Sequence, residues 1–471
     1  MPSAGPMVLL TMDVPDIQPT PTRQLFVDNA MIARKSGVVR ETHPCMKLPE
    51  PVVQGREPWE GPNVDERVYI YGTVLPADEE TGYRMWYMRF RDRVLYATSE
   101  DGIHWHRPNL DLVDDEGSRC NNSLPIRLHS PSLILDPDEP DGSKRYKMLG
   151  VGEGPGGRGY CVAHSSDGLS WHPHTYNPVL TGGDTCTLAR DPASGEYLAF
   201  HKRYTRHRGQ DRRLVYLSTS GNLQDWSEPR LVMAPDAEDD EQTLSEGGCL
   251  SQFYNMSAFP CAGQWVGLVT HFRYSGPPPE KGPEQSPHDG PIDVQLVHSR
   301  DGRTWSRCDD RSPVIPSGPY DYDAGCILGV ANQPVAVGDE VWIYYTAITT
   351  THGGYVPRKR VTIGRASWRL DGWVSLNAGP DGGTVETTDL QTSGGNLQVN
   401  ADAGRGELKV EISDPSGAPL TGYGFADCEP MRIDHVRHTI LWRDRNRLPE
   451  DRPFRLRFRF RDASLFSYSI G

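Results

Sequence analysis

The chain of 471 residues is long enough for two or three domains, and its 49 basic and 63 acidic side chains give a net charge of −14. This acidic balance argues against nucleic acid or an anionic membrane as a partner. Only 36% of the residues are hydrophobic, and no stretch approaches the roughly 20 apolar residues of a membrane-spanning helix. The early run MVLLTM has no basic lead-in and no small-residue cleavage site, so we expect no signal peptide. Nine scattered cysteines without a CxxC pair predict neither a zinc ribbon nor a disulfide framework, which favours a cytoplasmic location.

The 48 glycines and 40 prolines interrupt the chain every few residues, which is typical of short strands joined by tight turns. Four segments share one form: SEDGIHW (99–105), SSDGLSW (165–171), STSGNLQDW (218–226) and SRDGRTW (299–305). Each follows a short alternating strand, and a degenerate fifth copy ends in RLDGW (369–373). We expect the Asp-Gly pair to form a tight turn from which the tryptophan packs back onto the sheet.

A second pattern precedes each copy: two apolar strands joined by a polar turn. It covers residues 71–88, 132–151, 186–202, 255–272 and 332–347. Each unit therefore holds about four strands, and five such units predict a five-bladed β-propeller, which leaves only short, protected edges. The alternative is a β-sandwich with chance SxDG turns, but five paired repeats in register argue against it.

From residue 378 the sequence changes to strict alternation of apolar and polar residues, as in GNLQVNADA, GELKVEISD, HTILWR and FRLRFRF. This period is typical of an antiparallel sandwich with one apolar face. The sequence therefore predicts an all-β chain in three parts. They are an N-terminal extension (1–50) that packs on the propeller and could complete a blade, the propeller (51–377) and a β-sandwich domain (378–471).

This arrangement resembles the furanosidase superfamily, which includes glycoside hydrolase families 32, 43, 68 and 130, over nearly the whole chain. The SxDGxxW turns also resemble the Asp boxes of sialidases, which have six blades and one more spacer residue. The chain lacks the WMNDPNG and Glu-Cys motifs of family 32. Its one RDP, at 190–192, is predicted to be the hairpin turn of the third unit, so no family role is carried over to Asp191. The resemblance implies a glycosidase that acts on a carbohydrate with paired Asp/Glu carboxylates at the central channel.

In such propellers the catalytic carboxylates stand at the starts of the innermost strands. Glycoside hydrolysis usually needs two of them, about 5 Å apart for retention and roughly 6.5–9.5 Å apart for inversion. The catalytic candidates are Asp184, Glu246, Asp323 and Glu60. Asp184 is the strongest, because Gly182 and Gly183 let backbone come close and the following strand aims the side chain inward. An Asx-turn role for Asp184 and an exposed-loop position for Glu246 are the alternatives.

The predicted substrate-binding residues are polar or aromatic groups at the unit openings and strand ends. They are Trp59, Glu66, Asn122, His129, Arg203, Gln252, His271 and His352. Trp59 could stack on a sugar ring or pack in the core, and its neighbour Glu60 is preferred to Glu66 for catalysis. Around one channel mouth, the basic and imidazole groups would bind hydroxyls, a carboxylate or a phosphate, although each alone is more often a surface residue. No HExxH spacing occurs, and no metal and no cofactor is predicted.

Two other functions stay open at this point, because a fold does not fix an activity. A non-catalytic carbohydrate-binding propeller would keep its sugar affinity without the carboxylates. A lyase or phosphorylase on the same scaffold would use the arginine and histidine groups and would show phosphate dependence or an unsaturated product. The sequence is compatible with a homo-oligomer under any of these functions.

Overall fold

The computed structural model describes residues 23–60, 67–77, 82–90, 92–115, 117–283, 285–443, 445–450 and 452–471. These residues are almost entirely strands and turns, which confirms the all-β prediction. The one α-helix among them is α1 (Ala237–Ser245), and three short 3-10 turns are η1 (Pro58–Glu60), η2 (Gly142–Lys144) and η3 (Asp321–Asp323). No helix in this described part of the chain is long and apolar enough to cross a membrane.

The strands of the described residues are numbered β1 to β31 in chain order. They are β1 (Arg23–Leu25), β2 (Ile32–Ser36), β3 (Val39–Thr42), β4 (Met46–Lys47), β5 (Val68–Pro76), β6 (Tyr83–Arg89), β7 (Arg93–Ser99), β8 (Ser123–Arg127), β9 (His129–Leu135), β10 (Tyr146–Gly154), β11 (Gly157–Ser165), β12 (His172–Pro173), β13 (Cys186–Arg190), β14 (Tyr197–His207), β15 (Gln210–Ser220), β16 (Arg230–Met233), β17 (Leu250–Cys261), β18 (Gln264–Tyr274), β19 (Ile292–Ser299), β20 (Trp305–Arg307), β21 (Cys326–Val330), β22 (Val335–Val337), β23 (Glu340–Ile348), β24 (Val361–Arg369), β25 (Val374–Ala378), β26 (Gly383–Thr387), β27 (Leu397–Asp402), β28 (Glu407–Ser413), β29 (Asp434–Thr439), β30 (Arg455–Arg461) and β31 (Ala463–Ile470).

The repeats of the sequence become four-stranded sheets. Strands β5 to β8, β9 to β12 and β13 to β16 form three separate antiparallel sheets. The fourth and fifth units share one nine-stranded sheet, in which a parallel pair at Ile292 and Cys326 joins β19 to β21. The short N-terminal strand β4 pairs with β24 at the outer edge of the fifth unit.

The first strands of the five units lie against one another. β5 contacts β9, β9 contacts β13, β13 contacts β17, β17 contacts β21, and β21 contacts β5. Buried polar side chains link them: Asn332 donates to the carbonyls of Leu133 (2.8 Å) and Leu188 (2.9 Å), and Thr187 donates to that of Met256 (2.6 Å). Such bonds satisfy carbonyl groups that no neighbouring strand pairs.

The SxDGxxW segments form the predicted tight turns. In the first copy the Asp101 carboxylate accepts the backbone N–H groups of Ile103 and His104, both at 2.8 Å, while Gly102 has a left-handed φ of +70°. The same arrangement recurs in the second and fourth copies, whose serines are Ser165 and Ser299. In the third copy, from Ser220, the side-chain oxygen of Asn222 accepts in place of the carboxylate, and Leu223, at a φ of +63°, stands in place of the glycine. The predicted hairpin turn at the RDP sequence is also present, because the Gly195 N–H donates to the Asp191 carbonyl between β13 and β14 (2.8 Å).

The tryptophans of these turns pack between sheets rather than only onto their own. The Trp105 ring of the first unit lies 5.6 Å from Tyr344 of the fifth, and Trp305 of the fourth unit lies 5.6 Å from Phe200 of the third. Both contacts are edge-to-face, an arrangement that adds to the apolar area buried. These two turn tryptophans therefore also join one unit to another.

The rest of the chain forms two further sheets around a second core that includes Phe26, Trp442, Phe458 and Tyr468. One sheet has the order β29-β27-β31-β25-β3 with β1 on β31, and the other has the order β2-β26-β30-β28. The N-terminal strands β1 to β3 thus pair with strands from the C-terminal part of the chain. No local sequence pattern indicated these pairings.

The strand predicted at HTILWR is wrong after its first two residues. β29 ends at Thr439, and the following residues turn, with Arg443 at a left-handed φ of +52°. The Trp442 indole donates to the Val410 carbonyl (2.8 Å), so this side chain is buried although its residue lies beyond the end of β29. The hydrophobic alternation there reflects this burial.

Candidate active site

Asp184 stands two residues before the start of β13, the first strand of the third unit, and a glycine determines its surroundings. The Gly183 N–H donates to the Lys202 carbonyl (3.1 Å), and a Cβ at position 183 would lie 2.4 Å from that oxygen. Only glycine permits this approach of the two backbones. The contact brings Asp184 beside the side chain of Lys202.

Asp184 and Lys202 form an ion pair with very different exposure. The Asp184 side chain is 54% exposed, whereas that of Lys202 is 2% exposed and its ammonium lies 3.8 Å from the centroid of the Tyr254 ring. Burial lowers the pKa of Lys202 to about 8, although the Asp184 carboxylate opposes this shift. Partial desolvation alone would raise the pKa of Asp184, but Lys202, His129 and Arg213 together hold it below its usual value. Asp184 is therefore ionised at neutral pH.

A second buried cation, Arg213 of β15, lies beside the same tyrosine. Its guanidinium is 5.3 Å from the Tyr254 ring and 5.1 Å from that of Phe272. It donates to the side-chain carbonyl of Gln252 (2.7 Å), while its Nε has no hydrogen-bond partner. Aromatic faces on two sides favour the charged guanidinium and hold it in place.

His129 opens β9, the strand next to β13. The hydroxyl of Ser130 accepts a hydrogen bond from the backbone N–H of Cys186 (3.2 Å), so His129 and Asp184 occupy neighbouring strand starts. The imidazole is 5.8 Å from the Tyr71 ring, and its Nδ1 is 2.9 Å from a carboxylate oxygen of Asp92. This places an oriented imidazole beside the exposed carboxylate.

His352, after β23, completes this group of residues. Its ring lies 5.3 Å from that of Tyr254, and its Nδ1 is 2.9 Å from the carbonyl of His288. Burial lowers the pKa of His352 to about 3, and the nearby Lys359 and Arg213 charges add to the effect. His352 is therefore uncharged at neutral pH and can donate or accept a hydrogen bond.

These residues are called the central cluster below. Its members are Tyr71, His129, Asp184, Lys202, Arg213, Gln252, Tyr254 and His352. All five units contribute residues to it, from within or beside their strands. It combines one exposed carboxylate with two cations, two imidazoles and two tyrosine rings.

Another carboxylate, Asp289, lies next to the cluster. One of its oxygens accepts the backbone N–H groups of Gly290 (2.7 Å) and Gly353 (2.8 Å), beside His288. It therefore helps to hold the segment that carries His352, and it is a second acidic group at this end of the sheets.

The structure brings together four of the predicted site residues: Asp184, His129, Gln252 and His352. It places Glu60, Trp59 and Asn122 in a different cluster. The Glu60 carboxylate is fully buried and accepts hydrogen bonds from the Tyr87 hydroxyl (2.5 Å) and Arg107 Nε (2.9 Å). The Trp59 indole donates to the side-chain oxygen of Asn122 (2.6 Å), so the ring is held by the protein. Glu66 lies outside the described residues.

Glu246 and Asp323 also bind cations of their own. Glu246 ends α1, and its carboxylate is 3.0 Å from Arg273 Nε, which is a contact outside the central cluster. Asp323 is fully buried and pairs with Lys47 of the N-terminal segment at 2.6 Å, with the Tyr345 hydroxyl at 3.1 Å. Burial of both partners marks this pair as a link between β4 and the fifth unit.

Two predicted binding groups are used within their own sheets. His271 is fully buried, with Nε2 2.8 Å from the Ser251 hydroxyl and Nδ1 3.3 Å from the Gln295 amide. Arg203 donates to the Thr181 carbonyl (2.7 Å) and faces the side of β14 opposite to Lys202. The alternation of side chains along a strand explains why Lys202 and not Arg203 reaches Asp184.

Sequence reasoning missed Lys202, Arg213, Tyr71, Tyr254 and Asp92 as members of the site or its support. Lys202 directly precedes the predicted residue Arg203, and period-2 alternation could have separated the two side chains. The other four have no local signal, because they come from strands and turns that meet only in the folded chain. In the described part of the chain, no group of three or more His, Cys, Asp or Glu side chains could hold a metal ion.

No protein-family model and no curated protein matches the chain. Among solved structures it is similar to an α-L-arabinofuranosidase from Podospora anserina in complex with cellotriose, with 10% identity, a TM-score of 0.44 and coverage of 70% of this chain and 98% of that chain. It is also similar to a β-1,2-mannobiose phosphorylase from Listeria innocua, with 11% identity, a TM-score of 0.44 and coverage of 69% of this chain and 97% of that chain. A third similar structure is an N-acetylgalactosamine deacetylase from F. plautii in complex with blood group B trisaccharide. It has 14% identity, a TM-score of 0.45 and coverage of 72% of this chain and 97% of that chain. These proteins have three different chemistries, and at TM-scores below 0.5 the likeness assigns none of them to this chain.

Proposed function

We propose that this chain is a carbohydrate-active enzyme that cleaves a glycosidic bond, with Asp184 as its reacting carboxylate. The observation that carries the proposal is the setting of Asp184, an exposed, ionised carboxylate among cations and tyrosine rings where five first strands meet. Aromatic faces and a few convergent polar groups are typical of small-molecule sites. An ionised carboxylate suits the role of base or nucleophile in this reaction.

The proposal includes the architecture inferred from the sequence. The five units are the blades of a five-bladed β-propeller over 51–377, followed by a β-sandwich over 378–471. The cyclic contacts of β5, β9, β13, β17 and β21 support it, as does the contact between Trp105 of the first unit and Tyr344 of the fifth. In this arrangement the central cluster lies at the mouth of the channel.

A second candidate, phosphorolysis of the same bond, is favoured by the two buried cations. Lys202 and Arg213 both lie against the Tyr254 ring, with the uncharged His352 near the same ring. Such a group suits a bound phosphate, which would then take the place of water as the nucleophile.

The experiment is a screen of the purified chain on aryl and unactivated furanosides and pyranosides and on oligosaccharides, with and without inorganic phosphate. Products are identified by mass spectrometry. Free sugar without phosphate supports hydrolysis, and a sugar phosphate formed only with phosphate supports the second candidate. Asp184→Asn should lower the rate by about two to four orders of magnitude in either case. Cleavage that survives this substitution would contradict the proposal, and saturable sugar binding without cleavage would favour a carbohydrate-binding protein.

A further inference from the structure

Asp92 and His129 form a hydrogen-bonded pair at the edge of the central cluster. Asp92 lies in the turn between β6 and β7 with a left-handed φ of +64°, a costly conformation for a residue other than glycine. One of its oxygens is 2.9 Å from His129 Nδ1, and the other is 3.6 Å from Arg158. Despite partial burial, these two neighbours hold the pKa of Asp92 below its usual value. The ionised carboxylate can only accept, so Nδ1 carries the proton.

With Nδ1 bound to Asp92, Nε2 is the ring atom left to meet a ligand. No residue in the described part of the chain hydrogen-bonds to Nε2, and the His129 side chain is 26% exposed. The bond between Ser130 and Cys186 sets His129 and Asp184 at adjacent strand starts. A carboxylate that fixes one imidazole nitrogen while the other faces the substrate is the arrangement that general acid–base catalysis requires.

We propose that His129, oriented by Asp92, is the general acid of the reaction, with Asp184 as its base. This inference rests on the proposed function. The reaction needs a proton donor, and Asp184 is ionised while Glu60, Glu246 and Asp323 are bonded elsewhere. Lys202 is a poor alternative, because its ammonium is buried between Asp184 and Tyr254.

The proton transfers balance for hydrolysis. The His129 imidazolium passes its Nε2 proton to the glycosidic oxygen as the bond from that oxygen to the anomeric carbon breaks, and the bonding electron pair stays on the oxygen. A water molecule attacks the anomeric carbon and gives a proton to Asp184. Asp184 then releases this proton to solvent, and His129 takes one up, so that the net reaction adds one water across the bond.

The test compares His129→Asn on two substrates of the sugar that the screen identifies, a 2,4-dinitrophenyl glycoside and an unactivated disaccharide. Dinitrophenolate leaves without protonation, so only the disaccharide needs an acid. We expect kcat/KM to fall by about 10²–10⁴-fold on the disaccharide and by less than about tenfold on the aryl glycoside. Asp92→Asn, which changes a positioning residue, should reproduce the loss on the disaccharide and spare the aryl glycoside, a split that a merely structural role of Asp92 would not produce.

Three further variants make the result decisive. Asp184→Asn should lose activity on both substrates. His104→Asn alters a matched pair, since His104 Nδ1 is 2.7 Å from Asp101 in an exposed turn, and it should change neither rate. Asp289→Asn should not reproduce the disaccharide-specific loss. Equal losses of His129→Asn on both substrates, or a disaccharide-specific loss in Asp289→Asn, would overturn the acid role and leave the proposed function intact. A wild-type chain that cleaves neither substrate would overturn both.

Discussion

The ammonium of Lys202 is buried, and the Asp184 carboxylate with which it pairs is open to solvent. A surface ion pair of two flexible chains contributes little, but here one partner is fixed by packing against the Tyr254 ring. The charge of Lys202 therefore acts on Asp184 from a constant position. Its main consequence is electrostatic, because it keeps the exposed carboxylate ionised and ready to accept a proton.

We expect Lys202→Met to raise the pKa of Asp184, since the nearest opposite charge is removed. Asp184 acts in its ionised form, so the acidic limb of the kcat/KM profile should move to higher pH. The measurement is the pH–rate profile on the substrate found in the screen. Lys147→Met is the matched control, because Lys147 is also buried and pairs with Glu139 (2.8 Å) in the second sheet. An unshifted limb in Lys202→Met would show that this lysine does not set the ionisation of Asp184.

Gly183→Ala should disturb the site more than its size suggests. The added methyl would lie 2.4 Å from the Lys202 carbonyl, and both segments belong to the third sheet and cannot move apart easily. We expect a loss of about 1–3 kcal/mol in the free energy of unfolding, with a lower kcat/KM. Gly221→Ala is the control, because no atom lies within 4 Å of its added Cβ. Similar stabilities of the two variants in urea would contradict this view of Gly183.

Acid should destabilise the protein through three buried imidazoles. Burial lowers the pKa values of His201, His271 and His352 to about 3, whereas the same groups in the unfolded chain take up protons near pH 6.5. The contribution of these three histidines to the free energy of unfolding is therefore fully present above about pH 6.5, and it falls as the pH drops toward 3. Each group contributes about 1.4 kcal/mol per pH unit within this window.

Urea unfolding at several pH values between 7.5 and 4 measures this slope. His271→Gln should reduce it by the amount expected for one proton, whereas replacement of the exposed His106 by Gln should not. An equal slope in all three proteins would mean that other groups dominate the acid response.

Asn332→Ala should weaken the contacts between first strands. The amide of Asn332 donates to carbonyls on two different strands and accepts from the Thr73 hydroxyl at 2.8 Å, and all these groups are buried. We expect a loss of about 3 kcal/mol, because buried partner groups lose hydrogen bonds that the Asn332 amide makes. Thermal and urea unfolding measure the loss, with Asn109→Ala, at an exposed position, as the control. A change below about 0.5 kcal/mol would show that water replaces the amide.

The sequence by itself determined those features whose hydrogen bonds are local. The SxDGxxW turns close within seven residues, since Asp101 accepts from N–H groups two and three positions later. The sequence repeat alone was therefore enough to predict these turns. The strand alternation and the Gly182-Gly183 pair before Asp184 are equally local. They were sufficient to predict an all-β chain and to select Asp184. Three more members of the central cluster, His129, Gln252 and His352, were predicted from their positions at unit openings and strand ends.

Only the tertiary structure decided which side chains meet. Arg213, Tyr254 and Asp92 come together with Asp184 because strands far apart in sequence pack side by side, and no spacing encodes that contact. Burial was equally hidden from the sequence: Glu60 resembles a site carboxylate by position, yet the fold encloses it beside Arg107. The N-terminal strands show the same limit, since Arg23 pairs with Ser469 across the length of the chain. Local bonds follow from neighbouring residues, whereas the site depends on contacts that form only when the whole chain has folded.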